Sequence, residues 1–289
     1  MSFNPSNALI FSVCLFIAAC GGGEESETPE QTASTTPPVP VFVFAGQSNM
    51  NGSDAVISTM TGVQDLVDMG LQSDVDRSAL FTMATPNASY AWGDIRGHDG
   101  YYNRSAFIDG KPVKVHGPEV GFNRTLGGNI AIVKYAANYP ALEKGRSAWV
   151  KPGSRWTAWQ DFVDQQLSSL GRPYQIVGVV WLQGIDDGML NRSQEAYQAD
   201  LIQQLADLRA KFGNVPVVLG RSVNSPIAGA AAMAPIRAAQ VEVGNMPGNA
   251  WIDVDDLQIV ADHHLSSAAQ LTAGQRFGEK YLFLKQSLR

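Results

Sequence analysis

Residues 41–52 of the 289-residue chain read VFVFAGQSNMNG. The first half of this stretch is a run of apolar, largely β-preferring residues that stops at Gly46. Ser48 follows two positions later. In open α/β folds, a buried strand that ends abruptly and presents a functional group at its carboxyl end is a common way to begin an active site. The stretch therefore predicts the first buried strand of the fold and marks Ser48 as a candidate functional residue.

Apolar segments alternate with helical patterns along the rest of the chain. Strands are predicted at residues 39–44, 129–136, 174–182, 215–220 and 251–254. Helices are predicted at residues 118–126, 155–170, 191–212, 230–244 and 266–284. A capping box of Asn191 and Gln194 is expected to open the third of these helices. Because the strands are apolar throughout, we expect both faces of the sheet to be covered, as in parallel sheets. The pattern predicts an α/β fold, a single three-layer α/β/α sandwich over residues 39–289 with a mostly parallel, flavodoxin-like sheet of five strands.

Residues 53–110 are the part of the predicted domain that is hardest to assign. They contain clusters of Gly, Asn, Asp and Tyr, for example at residues 97–102, and one helix is predicted near residues 54–67. Long connections of this kind usually serve a function. We expect this segment to pass over the top of the sheet and to form a rim there.

The composition is typical of a soluble globular protein, with 45% apolar and 17% charged residues. The formal net charge is −6, but four acids lie within residues 24–30, and residues 41–289 carry 23 acids against 21 bases. The predicted domain thus lacks the basic excess that nucleic-acid binding usually requires. Both cysteines precede residue 21, so the domain has no cysteine for an internal disulfide. The sequence contains no metal-ligand spacing, phosphate-binding loop or dinucleotide-binding glycine pattern, and we expect no cofactor.

The N-terminus is predicted to be a targeting segment rather than part of the fold. Residues 8–19 are apolar apart from one serine, which is too short to span a bilayer but suits a secretory signal. Residues 17–21, IAACG, resemble a bacterial lipobox, which implies removal of residues 1–19 and attachment of a diacylglyceryl group to Cys20. Residues 20–38, rich in Gly, Glu, Ser, Thr and Pro, are predicted to be a disordered tether. The resemblance implies a lipid-anchored protein of the cell envelope, on the outer membrane or facing the periplasm. The alternative is an ordinary signal peptide and a secreted protein, since the chain begins without the expected Lys or Arg.

The motif GQSNMxG at residues 46–52 resembles the nucleophile block of SGNH hydrolases. More narrowly, it is similar to the carbohydrate esterases that include sialate O-acetylesterases and acetyl xylan esterases. It does not fit the G-x-S-x-G nucleophile elbow of α/β-hydrolases, because Met50 occupies the second glycine position. The resemblance implies that Ser48 is the catalytic nucleophile. The alternative is a serine that caps a helix after the first strand.

Two further blocks extend the resemblance. Residues 116–122, HGPEVGF, are similar to the second block, which implies that the backbone N–H of Gly117 donates to an oxyanion; the alternative is a turn before a helix. Residues 181–187, WLQGIDD, are similar to the third block, which implies the same role for the side-chain amide of Gln183; the alternative is a buried amide bonded to backbone. Ile185 stands where this branch of the family usually has a glutamate.

Residues 262–270, DHHLSSAAQ, resemble the last block of the family, in which a histidine precedes the final helix. Matching the downstream residues implies that His264 is the general base that accepts the proton of Ser48. His263 is then expected to be a solvated or packing neighbour.

The acid behind this base is the least certain part of the predicted site. The family places it three residues before the histidine, where this chain has Ala261. Asp262, two residues before His264, is the first candidate for the carboxylate that orients the imidazole. Asp255 or Asp256 is a second candidate, and a dyad without an acid is a third arrangement.

Together these motifs predict a serine-dependent carbohydrate O-acetylesterase that removes acetyl groups from a sugar or polysaccharide. Its catalytic residues would be Ser48, His264 and Asp262. The backbone N–H groups of Ser48 and Gly117 and the amide of Gln183 would form the oxyanion hole.

Two other functions remain open at this stage. The altered acid and Ile185 are compatible with a surface carbohydrate-binding protein that does not catalyse. A lipase or general esterase is also compatible with the fold, although the GQSNM motif argues against it. Trp149, Trp156 and Trp159 could stack on sugars, but we favour the interpretation that they pack along the edge of the following helix.

Overall fold

The computed structural model describes residues 37–53, 76–85, 88–95, 98–99, 107–108, 111–112, 114–137, 142, 148–260 and 263–287. Residues Pro37–Arg289 form one compact unit. Cys20, the signal segment 1–19 and nearly all of the tether 20–38 lie outside the described residues, so those domain boundaries stay predictions.

Thirteen strands occur in the described part of the chain. They are β1 (Val39–Gly46), β2 (Asp76–Thr85), β3 (Ala88–Ile95), β4 (His98–Asp99), β5 (Phe107–Ile108), β6 (Lys111–Pro112), β7 (Lys114–Val115), β8 (Ile130–Ala136), β9 (Tyr174–Leu182), β10 (Val217–Gly220), β11 (Asn249–Ile252), β12 (Ile259–Val260) and β13 (His264–Leu265). Seven of them form the main sheet in the order β11-β10-β9-β1-β8-β2-β3. The remaining strands pair in twos, β4 with β7, β5 with β6 and β12 with β13.

Seven helices occur in the described residues. They are α1 (Ser48–Asn51), α2 (Glu119–Leu126), α3 (Ser154–Ser169), α4 (Ile185–Met189), α5 (Gln194–Phe212), α6 (Ala230–Gly244) and α7 (Ser267–Ser287). Helix α2 packs on α7, and α5 packs on α6. The predicted α/β class, a mostly parallel sheet with helices on both faces, is confirmed.

The five predicted strands all pair in parallel. Strand β1 pairs in parallel with β8 on one side and with β9 on the other, and β10 and β11 continue the sheet beyond β9. This is the flavodoxin-like strand order, in which the second strand of the five is added on one side of β1 and the later strands on the other. The carboxyl ends of the three central strands are level, because Gly46 is opposite both Ala136 and Leu182. The loops that follow these strands therefore leave the sheet side by side.

Two strands extend the sheet beyond the predicted five. Strand β2 is parallel to β8, and β3 is antiparallel to β2 at the edge of the sheet. Both lie within residues 53–110, which the sequence analysis treats as a long loop, so that expectation is wrong for these two segments. The helix predicted near residues 54–67 lies outside the described residues.

Helix α5 begins differently from the prediction. Its N-cap is Ser193, whose hydroxyl accepts a hydrogen bond from the N–H of Ala196. Asn191 has a φ of 51° and lies before the helix, so the predicted capping box is wrong. A serine at the N-cap satisfies one of the donors that the first helical turn leaves without an intrahelical partner.

The core is continuous across the sheet and contains large aromatic side chains. Trp149, Trp159 and Trp181 are fully buried, and the rings of Trp149 and Trp181 pack edge to face at 5.2 Å. Trp156 is also buried. The expectation that the tryptophans pack rather than stack on sugars is therefore correct. No helix in the described part of the chain combines the length and apolar character needed to cross a bilayer.

Candidate active site

Ser48 lies where the central strand of the sheet ends. Strand β1 stops at Gly46, and Ser48 is the first residue of the short helix α1. The first N–H groups of a helix have no intrahelical partner, so the N–H of Ser48 is not used by the helix. The strand order reverses next to β1. In open α/β sheets, ligands bind at such a point, beyond the carboxyl ends of the strands. Ser48 is 5% exposed.

Two glycines of the GQSNMxG motif are required by close backbone contacts. A Cβ atom at Gly46 would lie 2.1 Å from the carbonyl oxygen of Leu182 at the end of β9. Gly52 has a φ of 85°, and a Cβ atom there would lie 1.9 Å from the carbonyl oxygen of His116. A side chain at either position would push apart segments that carry the first, second and third sequence blocks. The glycines therefore bring the blocks together.

Asn49 connects the serine segment to the histidine segment. Its Nδ2 donates to the carbonyl oxygen of His263 at 3.0 Å, and its Oδ1 accepts from the N–H of Leu265 at 2.9 Å. The side chain of Gln270 on α7 donates to the carbonyl oxygen of Asn49 at 2.8 Å. The amide of Asn49 thus holds the backbone on both sides of His264, and α1 lies against β13. The structure brings Ser48 and His264, the predicted nucleophile and base, to the same corner of the sheet.

The imidazole of His264 is largely buried. Strand β13, which carries it, pairs in antiparallel fashion with β12, so that His264 is opposite Val260. The ring of His263 lies 4.4 Å from that of His264. Asp262, predicted to orient His264, lies outside the described residues, and its role stays a prediction.

The alternative acids both bind arginine. Asp255 accepts from Arg221 at 2.6 Å and from Arg237 at 2.6 and 2.7 Å. Asp256 accepts from Arg276 through both oxygens, at 2.7 and 2.6 Å. The hydrogen bonds from Arg276 lower the pKa of Asp256 to about 2. Among the contacts of the described residues, neither carboxylate is hydrogen-bonded to His264.

His116, the first residue of the second block, is hydrogen-bonded to Ser267. The distance from its Nε2 to the hydroxyl oxygen of Ser267 is 2.7 Å, and both side chains are buried. Ser267 is the first residue of α7, three positions after His264. The contact joins the second block to the last. Its partners are 151 residues apart, and no local pattern could reveal it.

The N–H of Gly117 does not face an oxyanion site in this structure. It donates to Oε1 of Glu119 at 2.9 Å. Glu119 is fully buried and its Oε2 is 2.7 Å from Nζ of Lys134. The N–H expected to be a donor to the oxyanion is therefore engaged by a carboxylate two residues away, and its role in an oxyanion hole stays a prediction.

Gln183 belongs to a buried network beneath the end of β9. Its Nε2 donates to Asp187, and its Oε1 accepts from the hydroxyl of Tyr197 at 3.3 Å. The amide nitrogen carries two hydrogens, and the contact with Asp187 uses one of them. The predicted role of Gln183 in an oxyanion hole thus stays a prediction that depends on the second hydrogen.

Asp187 is the centre of that network. Its two oxygens each accept from the N–H of Leu142 at 3.0 Å, and Arg192 donates to it at 2.7 Å. Arg192 also binds Asp200 at 2.6 Å. Burial raises the pKa of Asp187, while the hydrogen bonds from Arg192 and Gln183 and the N–H of Leu142 oppose that shift. Burial also raises the pKa of Tyr197.

Gln47 was not singled out by the sequence analysis, yet it joins the first and third blocks. Its Oε1 accepts from the N–H groups of Gly184 at 2.8 Å and Ile185 at 3.1 Å, and its Nε2 donates to Asp186. Ile185 is buried and begins helix α4. The position that usually holds a glutamate in this branch therefore contributes an apolar side chain to the core here. Within the described ranges, no cluster of His, Cys, Asp and Glu is arranged to hold a metal ion.

Several solved structures have a similar fold. A protein from Arabidopsis thaliana is similar with a TM-score of 0.60 and 19% identity, over 86% of this chain and 99% of that one. A carbohydrate acetylesterase from Xanthomonas citri is similar with a TM-score of 0.54 and 15% identity, over 86% of this chain and 56% of that one. NanS is similar with a TM-score of 0.54 and 14% identity, over 86% of this chain and 98% of that one. No curated protein sequence matches the chain.

The family model described as carbohydrate esterase, sialic acid-specific acetylesterase, matches residues 38–283. The match covers the whole sheet and all four sequence blocks. The chain is thus a carboxylic ester hydrolase of the carbohydrate esterase kind. It belongs to the sialic acid-specific acetylesterase family of carbohydrate esterases.

Proposed function

We propose that this protein is a serine-dependent O-acetylesterase acting on an acetylated sugar or polysaccharide, with Ser48 as nucleophile and His264 as general base. The observation that carries the proposal is the contact of Asn49 with the backbone on both sides of His264. Asn49 follows Ser48 directly, so one residue sets the relative position of the two reacting groups. Asp262 is proposed as the carboxylate that orients the imidazole.

The proposed reaction has two halves. Ser48 Oγ attacks the acetyl carbonyl carbon while its proton passes to Nε2 of His264. The negative oxygen of the tetrahedral intermediate is stabilised by the N–H of Ser48 and the second amide hydrogen of Gln183. The N–H of Gly117 donates to Glu119, and its place in the oxyanion hole stays a prediction. The intermediate collapses as His264 returns the proton to the sugar oxygen, which departs as a hydroxyl. Water then attacks the acetyl-enzyme with His264 again as base. The bond between the acyl carbon and Ser48 Oγ breaks, His264 returns the proton to that oxygen, and acetate is released.

The substrate class is proposed from the family rather than from a bound ligand. The family description names a sialic acid-specific acetylesterase, and the similar Xanthomonas protein is described as a carbohydrate acetylesterase. We therefore propose an O-acetylated sugar, with acetylated sialic acid and acetylated xylan as the first substrates to test.

The test is the variant Ser48→Ala, assayed on an aryl acetate and on both acetylated carbohydrates. We expect the wild type to release acetate and kcat to fall by at least about 10³-fold in the variant, with the far-ultraviolet circular dichroism unchanged. Ser193→Ala, which removes a helix cap, serves as the matched serine control and should keep its activity. Full activity in Ser48→Ala would refute the serine mechanism. Saccharide binding without acetate release by the wild type would favour a binding protein, and preference for long acyl esters would favour a lipase.

We also propose that Cys20 carries a lipid anchor and that the enzyme acts at the cell envelope. The lipobox-like residues 17–21 and the polar segment after them support this proposal. In a bacterial host, the full-length chain should partition into the detergent phase of a Triton X-114 extract, and Cys20→Ala should remain in the aqueous phase. Equal partitioning of the two proteins would contradict the anchor and favour secretion.

A further inference from the structure

A buried ion pair lies beneath the two loops that meet at the proposed site. Lys134 is on the central strand β8 and Glu119 begins helix α2. Both side chains are 0% exposed, and Nζ of Lys134 is 2.7 Å from Oε2 of Glu119. The ammonium group also lies 5.3 Å from the centre of the Phe81 ring. The sequence analysis did not identify this pair, because Lys134 stands within an apolar strand and Glu119 in a motif assigned to Gly117.

The pair contacts the backbone of both loops. Oε1 of Glu119 accepts from the N–H of Gly117 at 2.9 Å, and Nζ of Lys134 donates to the carbonyl oxygen of Asn51 at 3.5 Å. A Cβ atom at Gly117 would lie 2.5 Å from the carbonyl oxygen of Met50 and 2.7 Å from Oε2 of Glu119. Gly117, the nucleophile helix and the two charges are thus in direct contact, and one charge is bonded to each loop.

Stability alone does not account for a pair of this kind. Removing two charges from water costs several kcal/mol per ion, and apolar residues of similar volume are often as stabilising as a buried ion pair. Burial lowers the pKa of Lys134, and the charge of Glu119 acts against that shift. What an apolar pair could not supply is a hydrogen bond to each of the two backbone segments.

We infer that Glu119 is a positioning residue for the reaction and that Lys134 is the counter-charge that allows its carboxylate to be buried. The bond from the N–H of Gly117 to Glu119 fixes that segment beside the helix that carries Ser48, and so sets the shape of the space where the acyl group reacts. The inference rests on the proposed function, because it assigns these residues to the esterase reaction of Ser48. It requires that losing the bond between Gly117 and Glu119 lowers kcat in a protein that is still folded.

The experiment compares two double variants that both remove the charges. Glu119→Gln/Lys134→Met keeps an oxygen that accepts from the N–H of Gly117, whereas Glu119→Leu/Lys134→Met does not. We expect the glutamine variant to keep kcat on an aryl acetate within about threefold of wild type. We expect the leucine variant to lose about 10- to 100-fold in kcat with KM nearly unchanged, since small displacements of reacting groups have effects of this size. Asp164→Leu/Lys211→Met, the same substitutions at the ion pair between α3 and α5, should match the wild type.

Each outcome decides the inference. Wild-type kcat in a folded leucine variant would overturn it, as would equal losses in both double variants. If the leucine variant does not fold, Glu119→Asp gives the decision, because the shorter acid keeps its charge but does not reach both Lys134 and Gly117. A loss of kcat of about tenfold or more supports positioning, and activity within threefold of wild type overturns it. Ser48→Ala is assayed in parallel. Full activity of Ser48→Ala, or an inactive wild type, overturns the proposed function and this inference together. An inactive Ser48→Ala with a fully active leucine variant overturns this inference alone.

Discussion

The loops that follow β1 and β9 leave neighbouring strands at the same edge of the sheet, but they direct their polar side chains differently. After β1, Asn49 binds the backbone around His264. After β9, Gln183 and Asp187 form a buried hydrogen-bond network with Tyr197 and Arg192. The first loop therefore organises the proposed reacting groups. The second organises the scaffold beneath them, apart from the second amide hydrogen of Gln183, which is proposed for the oxyanion.

This difference teaches that a family motif does not by itself tell which of its polar residues face the substrate. Both loops match sequence blocks of one family, and both contain an amide residue next to the strand end. Only the contacts that their polar side chains make in the structure distinguish the two loops. If the comparison is correct, substitutions of the network residues in the β9 loop other than Gln183 should affect folding more than catalysis, and substitutions in the β1 loop should do the opposite.

The largest effect on stability is expected for Asp187→Ala. The substitution leaves the N–H of Leu142 and the amide of Gln183 without their acceptor and breaks the contact with Arg192. Breaking a buried ion pair by removing one partner costs about 3–5 kcal/mol. We expect the free energy of unfolding, measured by urea denaturation and tryptophan fluorescence, to fall by about that amount. The kcat of the folded fraction should change less than about tenfold.

The control is Asp164→Ala, which removes the acid of an ion pair whose carboxylate is 59% exposed. Exposed pairs contribute about 0–1 kcal/mol, so this variant should be nearly as stable as wild type. Equal losses of stability in the two variants would contradict a scaffold role for Asp187. A fully stable but inactive Asp187→Ala would reverse the comparison and make the β9 loop catalytic.

A smaller effect on stability but a larger effect on catalysis is expected for Asn49→Ala. Loss of both side-chain hydrogen bonds should lower the free energy of unfolding by about 1–3 kcal/mol. Because His264 is no longer held from both sides, kcat on an aryl acetate should fall by about 10- to 100-fold. Steady-state kinetics and urea denaturation on the same preparations separate the two effects.

Two further variants make this test specific. Asn49→Asp keeps an acceptor for the N–H of Leu265 but loses the donor to the carbonyl of His263, so its kcat should fall between those of Asn49→Ala and wild type. Asn245→Ala removes an amide that accepts from the half-buried Trp251 and should leave kcat unchanged. Wild-type kcat in Asn49→Ala would show that the contact with the histidine segment is only structural.

The sequence was most informative where burial alone defines an element. The five parallel strands are continuous apolar runs, and β8 is buried at every residue. Strands β2 and β3 were missed because they pair with irregular register, and β3 is an edge strand that contains Gly93 and Asp94. An apolar segment such as residues 79–84, followed by a proline, was the available signal for a strand that ends in a turn.

The sequence proposes the residues of the candidate site but not their contacts. The motifs predict Ser48 and His264 as nucleophile and base, because a reactive hydroxyl and an imidazole are required by the chemistry. They do not identify Asn49 as the link between them, since that contact joins residues more than 200 positions apart. The same holds for the bond between Gly117 and Glu119, because a free backbone donor and an engaged one have the same sequence.

The smallest effect is expected for Asp256→Asn, which tests whether the β1 loop works with an acid from the aspartate-rich segment after β11. Arg276 holds the pKa of Asp256 at about 2, below its ordinary value of 3.8. A carboxylate with a lowered pKa stabilises the fold above its unfolded-state pKa and loses that contribution as the pH falls through its folded-state pKa. The wild type should therefore have a slightly higher Tm than Asp256→Asn at pH 6, and the difference should vanish as the pH falls from about 4 to 2.

Because Asp256 contacts Arg276 and not His264, kcat and its pH profile should be the same in both proteins. Arg276→Met should reproduce the change in Tm without a change in kcat. A tenfold loss of kcat in Asp256→Asn alone would instead make Asp256 the acid behind the base, and the catalytic region would then extend from the β1 loop to the segment after β11.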